Sequence, residues 1–224
     1  MSTTALFLLC TAVPLLFGLW AQRRVRTTFE RYSQVAPRNG MTGAQAAAAV
    51  LRSSGLPDLE IRPADGRLSD HYDPRNRTLN LSADVGQATS LAALGVAAHE
   101  AGHAIQDARR YTPMRIRQTL VPVATIGQSL WFLPVVLGLM MGITGLVNVG
   151  LALFAAIVLF QLVTLPVEFD ASRRALVALE GQGLLAADEI GGARAVLNAA
   201  ALTYVAGFVA ALGQLLYFFM LSRR

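Results

Sequence analysis

Between Arg117 and Glu168 the chain runs for 50 residues without one charged side chain. A membrane span needs about 20 apolar residues, so this stretch is long enough for two helices and a tight turn. The turn is expected where Gly142, Gly145, Asn148 and Gly150 cluster. Pro134 is expected to kink the first of the two helices. Residues 2–22 and 195–222 are also free of charge, which brings the expectation to about four transmembrane helices. Composition agrees: 54% of residues are hydrophobic and 15% charged, whereas soluble domains carry roughly 25% charged residues. That balance disfavours an ordinary soluble enzyme and excludes a disordered chain. The single cysteine, Cys10, excludes an intramolecular disulfide framework and a cysteine-built zinc finger.

The basic residues indicate orientation. All 19 are arginine, the net charge is +5 and the pI is near 10.1. Such a charge could attract nucleic acid, but the arginines flank apolar segments (Arg23, Arg24, Arg26; Arg173, Arg174) and no base-reading motif is present. No nucleic-acid partner is expected. Fourteen arginines lie between residues 23 and 117, and Arg173, Arg174 and Arg194 follow the third apolar segment. With the N-terminus outside, both groups face the cytoplasm, as the positive-inside rule requires. Only Arg223 and Arg224 are then left outside. The first four residues carry no positive charge and the arginines follow the apolar run, so residues 1–22 are expected to be an uncleaved anchor rather than a signal peptide.

The expected organisation is an anchor (1–22), a cytoplasmic α+β domain (23–117), a transmembrane hairpin (118–167), a cytoplasmic helix (168–194), and a last transmembrane helix with a short tail (195–224). The fold class is therefore a mainly α integral membrane protein with a small α+β domain. Within that domain Thr42 and Gln45 can form a capping box for a helix over 42–54, which Gly55 can stop. Short strands are expected at 59–62 and 78–81. Turns are expected at Pro63, Asp65 and Gly66 and at Asp73, Pro74 and Asn76. Ser82 reads as an N-cap, and a helix is expected over 89–108.

That last helix carries His99-Glu100-Ala101-Gly102-His103, an HExxH pattern. Residues i and i+4 share a helix face, so both imidazoles can reach one ion. Zn²⁺ takes neutral nitrogen ligands at about 2.0–2.1 Å and keeps an open position for catalysis. Glu100, one residue along, can take a proton from an activated water without being a ligand. The residues before the motif, 91–98, are apolar, so two histidines and a glutamate sit on a buried helix where unpaired charge is costly. The chain has only three histidines, and two are here.

A tetrahedral catalytic site wants a third protein ligand. Glu168, His71 and Asp170 are the candidates. Glu168 directly follows the third apolar segment, and a hairpin returns the chain to the face it left, so 65 residues of sequence separation can be short in space. On a helix Glu168 and Ser172 share a face and Asp170 points elsewhere. His71, Tyr111, Arg173 and Arg174 are candidates to stabilise an oxyanion.

Four stretches carry a family resemblance: Asp70-His71-Tyr72-Asp73-Pro74; residues 96–106, Val-Ala-Ala-His-Glu-Ala-Gly-His-Ala-Ile-Gln; Leu165-Pro166-Val167-Glu168-Phe169; and residues 196–204, Val-Leu-Asn-Ala-Ala-Ala-Leu-Thr-Tyr. The chain resembles the YugP-type neutral zinc metallopeptidases of bacterial membranes over nearly its whole length. It is more distantly similar to the membrane gluzincins that include the heat-shock and CAAX prenyl endopeptidases. That likeness implies one zinc ion on His99, His103 and Glu168, Glu100 as general base, and substrate held along an edge strand, for which residues 78–81 are the expected segment. In those enzymes the glutamate helix usually reads Glu-x-x-Ala-Asp; Ser172 stands here where the aspartate would be, which alters the outer contact to a zinc histidine.

The function expected from the sequence is an integral membrane zinc endopeptidase in the bacterial cell membrane, its site facing the cytoplasm, its partners the lipid bilayer and peptide or membrane-protein substrates. A non-catalytic membrane adaptor that keeps the zinc-binding helix is the alternative, disfavoured by the intact Glu100. A transporter is disfavoured because three of the apolar segments are read as lacking an ionisable residue.

Overall fold

The computed structural model describes residues 3–66 and 69–223. Met1 and Ser2 of the expected anchor, and Arg224 of the tail, lie outside the described residues. The protein is mainly helical, at 74%. Helix α1 (Thr3–Phe7) passes through a π-helical turn (Leu8–Ala12) into α2 (Val13–Ser33). There follow α3 (Gly43–Ser53), β1 (Glu60–Ala64), β2 (His71–Asp73), β3 (Thr78–Ser82), α4 (Ala83–Gly86), α5 (Leu91–Ala108), α6 (Thr112–Leu130), α7 (Phe132–Met141), α8 (Thr144–Gly181) and α9 (Ile190–Leu221). The chain divides into two compact units. One comprises residues 1–22, 112–166 and 202–224, the other residues 23–111 and 167–201.

The described residues of the first unit form helices joined by short turns. Among the described residues, three helices are long and apolar enough to cross a membrane: Thr4–Ser33, Thr144–Gly181 and Ile190–Leu221. The pair α6 and α7 passes the same test jointly but is bent by 41°. The bend lies at Trp131, where Pro134 explains it: proline has no N–H for the Leu130 carbonyl, and its ring crowds that oxygen. Trp131 fills the bend, its ring 4.4 Å from that of Phe154 and 5.5 Å from that of Phe218.

The turn between the apolar helices is shorter than the sequence led us to expect. It consists of Gly142, at φ +66°, and Ile143. Gly145, Asn148 and Gly150 belong to α8. A Cβ on Gly150 would sit 2.7 Å from the Trp131 carbonyl oxygen, so this glycine serves helix packing. Turn and packing glycines look alike in sequence.

The second unit has a three-stranded sheet of order β1-β3-β2. Helix α5 packs on α3 and on strands β2 and β3, burying Leu51, Leu79 and Leu94 among others. The expected caps are present. Thr42 and Gln45 form the reciprocal capping box of α3, and the Ser90 hydroxyl accepts from the Ala93 N–H to start α5. Ser82 precedes α4 without a side-chain cap; its N–H and hydroxyl donate to the Asp70 carboxylate instead.

One expectation about the sheet is overturned. Residues 78–81 do not form an edge strand. They lie in β3, which pairs parallel with β1 and antiparallel with β2 and is therefore central. An edge facing α5 belongs to β2, a three-residue strand hidden in sequence by its polar composition and by the turn residues around it. Residues 78, 79, 81 and 82 of β3 are all buried.

Candidate metal centre

The site is assembled wholly within the second unit, from α5, the segment of α8 after residue 166, and β2. Helix α5 places His99 and His103 one turn apart. Helix α8 supplies Glu168, which is 2% exposed. The two helices come close because residue 102 has no side chain: a Cβ there would lie 2.7 Å from the Ala171 carbonyl oxygen. Their proximity brings ligand atoms of His99, His103 and Glu168 within 4.8 Å of one another. Glu168 Oε2 lies 3.2 Å from His99 Nε2 and 3.5 Å from His103 Nε2.

The other two candidate ligands are engaged elsewhere. His71 is exposed; its Nδ1 donates to the Ser69 carbonyl at 2.7 Å, which leaves Nε2 to accept from Asn80 Nδ2 at 3.2 Å. Asp170 is buried, receives Gln106 Nε2 at 3.0 Å and is paired with both Arg173 and Arg174. Those two arginines, named above as oxyanion candidates, are thus tied to Asp170. Arg174 also lies over the ring of Tyr111 at 5.7 Å.

The outer ring nitrogens have their own partners. His99 Nδ1 is 3.1 Å from the Ser172 hydroxyl, and His103 Nδ1 is 3.0 Å from Gln106 Oε1. Since Gln106 Oε1 can only accept, His103 Nδ1 carries the hydrogen, and in the neutral ring Nε2 presents a lone pair to the Glu168 carboxylate. Two lone pairs facing each other repel. A cation between them removes the conflict, so the donor set fits a metal ion of the nitrogen-and-carboxylate type that zinc occupies. A second proton, on Nε2, would also ease the conflict: burial opposes that charge, while the Glu168 and Glu100 carboxylates favour it and raise the His103 pKa overall.

Glu100 lies beside the cluster and outside the ligand set. Burial raises its pKa above the ordinary carboxylate range, His103 and His99 pull against this, and the Glu168 and Asp70 carboxylates add to the rise. Its Oε2 accepts the Tyr72 backbone N–H at 3.1 Å. The Tyr72 hydroxyl donates to Asp107 Oδ2 at 2.9 Å. Burial and the Asp107 carboxylate push the Tyr72 phenol up to about 12, against the opposing effect of Arg77. Glu100 and Asp107 are two turns apart on one face of α5, so Tyr72 anchors β2 along that face.

Sequence reasoning did not single out Gln106, Tyr72 or Asp107. For Gln106 a signal was present: it is a polar side chain one turn after His103 that lies outside the HExxH pattern. Tyr72 stands in a stretch that carries the family resemblance, but its contribution to Glu100 is a backbone N–H, which no residue type signals.

Comparison with known proteins identifies the family. The family described as "Putative neutral zinc metallopeptidase" matches residues 7–223. The chain is 41% identical over 216 residues to the "Putative membrane protease YugP" of Bacillus subtilis (strain 168), covering 96% of each chain. No solved structure matches. The chain belongs to the neutral zinc metallopeptidase family.

Proposed function

We propose that the protein is an integral membrane zinc endopeptidase that cleaves membrane or membrane-proximal proteins at a site facing the cytoplasm. The observation that carries this reading is the convergence of His99, His103 and Glu168, with Glu100 beside them and free of ligand duty. The bent pair α6 and α7 counts as the fourth span, and the arginine distribution sets the orientation. The name of the Bacillus relative supports the membrane location.

His99, His103 and Glu168 would hold one zinc ion in a gluzincin-type site. The ion supplies Lewis acidity, lowering the pKa of water toward about 7 and polarising a carbonyl. The chain's own residues do the rest. Glu100 accepts a proton from water as its oxygen attacks the scissile carbonyl carbon. It then gives that proton to the leaving nitrogen as the C–N bond breaks. Burial raises the Glu100 pKa, which brings it nearer the range useful for both transfers. The Tyr72 N–H orients the carboxylate from β2, and an extended substrate would add along this edge strand, with β2 in the role first given to residues 78–81.

The deciding experiment is elemental analysis of the detergent-purified full chain, wild type beside Glu168→Ala. About one zinc per chain, lost in the variant, is expected. Normal zinc in the variant would move the third ligand to His71 or Asp170. No zinc in a folded, chelator-free wild type would support the adaptor reading instead.

A further inference from the structure

We infer that Gln106 is a positioning residue for the metal centre: clamped by Asp170 and the Val167 carbonyl, it holds His103 in the tautomer that leaves Nε2 free for the ion. This rests on the zinc reading above. Gln106 is fully buried, at 0% exposure, so each of its polar atoms needs a partner within the protein. Its Nε2 donates to Val167 O at 2.8 Å and to Asp170 Oδ2 at 3.0 Å. Neither partner has a hydrogen to give. One is a peptide carbonyl, and the other is a carboxylate paired with Arg173 and Arg174. The amide therefore has one orientation, nitrogen toward α8 and oxygen toward His103 Nδ1, 3.0 Å away. That oxygen accepts only, so the imidazole hydrogen stays on Nδ1.

The same contacts explain why an amide suits this position. A carboxylate at residue 106 would face the Val167 oxygen and the Asp170 carboxylate, placing like charges together in a buried site. The amide passes the orientation of Asp170 to His103 without a second charge. It also ties the ligands on α5 to the helix that carries Glu168, because Val167 and Asp170 flank that residue. The metal set is oriented only when the two helices are docked.

Two substitutions separate positioning from packing. Gln106→Met keeps the volume and removes the acceptor on His103. Gln106→Glu keeps the acceptor and introduces repulsion with Asp170. Zinc affinity would be measured by chelator competition on the full chain in detergent, and thermal melting on the metal-free form. Gln106→Met is expected to bind zinc about 10–100-fold more weakly, the range for lost outer-shell partners, with a small change in melting. Gln106→Glu is expected to melt lower than Gln106→Met yet bind zinc more tightly than it does. A residue that merely packs would move affinity and melting together, so affinities that follow the melting order overturn the inference. So does unaltered affinity in Gln106→Met. If either variant fails to fold, Asp170→Asn decides. It removes the charged half of the clamp and loosens the amide, so weakened zinc binding is expected and unaltered binding overturns the inference. Absence of a saturable zinc site in the wild type would overturn the zinc reading and this inference with it. A normal wild-type site with insensitive variants would overturn this inference alone.

Discussion

In the unit formed by residues 1–22, 112–166 and 202–224, side-chain hydroxyls look inward to their own helices. Thr119, Thr125, Ser129 and Thr164 each donate to the carbonyl four residues earlier. In the unit formed by residues 23–111 and 167–201, polar groups reach across the chain: Ser172 to His99, Gln106 to Asp170, Tyr72 to Asp107, Ser82 to Asp70. The apolar surface divides the same way. Of the exposed large hydrophobic side chains described, all but Val35, Phe169 and Val177 belong to the first unit. Local bonds satisfy a hydroxyl in apolar surroundings without specifying its neighbours. Long-range bonds specify which residues meet. The first unit should therefore tolerate loss of such a hydroxyl, and the second depends on named pairs.

The largest expected effect tests whether Glu100 performs chemistry or supports the fold. Glu100→Gln keeps an acceptor for the Tyr72 N–H and removes the base. Peptide hydrolysis should fall by about 10²–10⁴-fold, with zinc content and melting temperature maintained. A variant that loses zinc or unfolds would make Glu100 a structural member of the polar network, and retained turnover would remove it as the base.

A matched glycine pair comes next. A Cβ at Gly102 meets the Ala171 carbonyl in the second unit, and one at Gly213 meets the Cys10 carbonyl in the first. Each Gly→Ala change should destabilise by about 1–3 kcal/mol through overpacking, read by thermal melting. Only Gly102→Ala should lower zinc content, because it separates the helices that carry the ligands. Equal zinc loss in both variants would break the distinction between the units.

The smallest effect contrasts two hydroxyls. Ser172→Ala should weaken zinc binding by about tenfold, the lower end for an outer contact to a metal histidine. Thr125→Ala should leave zinc binding unaltered and stability within about 0.5 kcal/mol. Chelator competition on both proteins sharpens the comparison: an effect of Thr125→Ala as large as that of Ser172→Ala would mean that its local bond carries information after all.

Much of this was legible in the sequence because it rests on local rules. The uncharged run and the arginine clusters marked the apolar helices. The 3.6-residue period put His99 and His103 on one face of a helix, and Thr42, Gln45 and Ser90 marked helix starts through caps that need only neighbouring residues. Glu168 could be named as a candidate from its place after an apolar segment, but His71 and Asp170 stood beside it. What separates the three is distance across the fold, together with the partners that engage the other two.

By itself the sequence determined the helical character, the apolar segments and the HExxH helix, because periodicity, capping and the absence of charge act within a few residues of chain. Only the tertiary structure decided that β2 and not β3 is the edge strand beside α5, that Gly150 packs rather than turns, and that Glu168 closes on the two imidazoles while Asp170 is turned toward Gln106. Each of these depends on contacts between segments tens of residues apart, where burial and hydrogen-bond satisfaction select one arrangement among several that the local pattern allows.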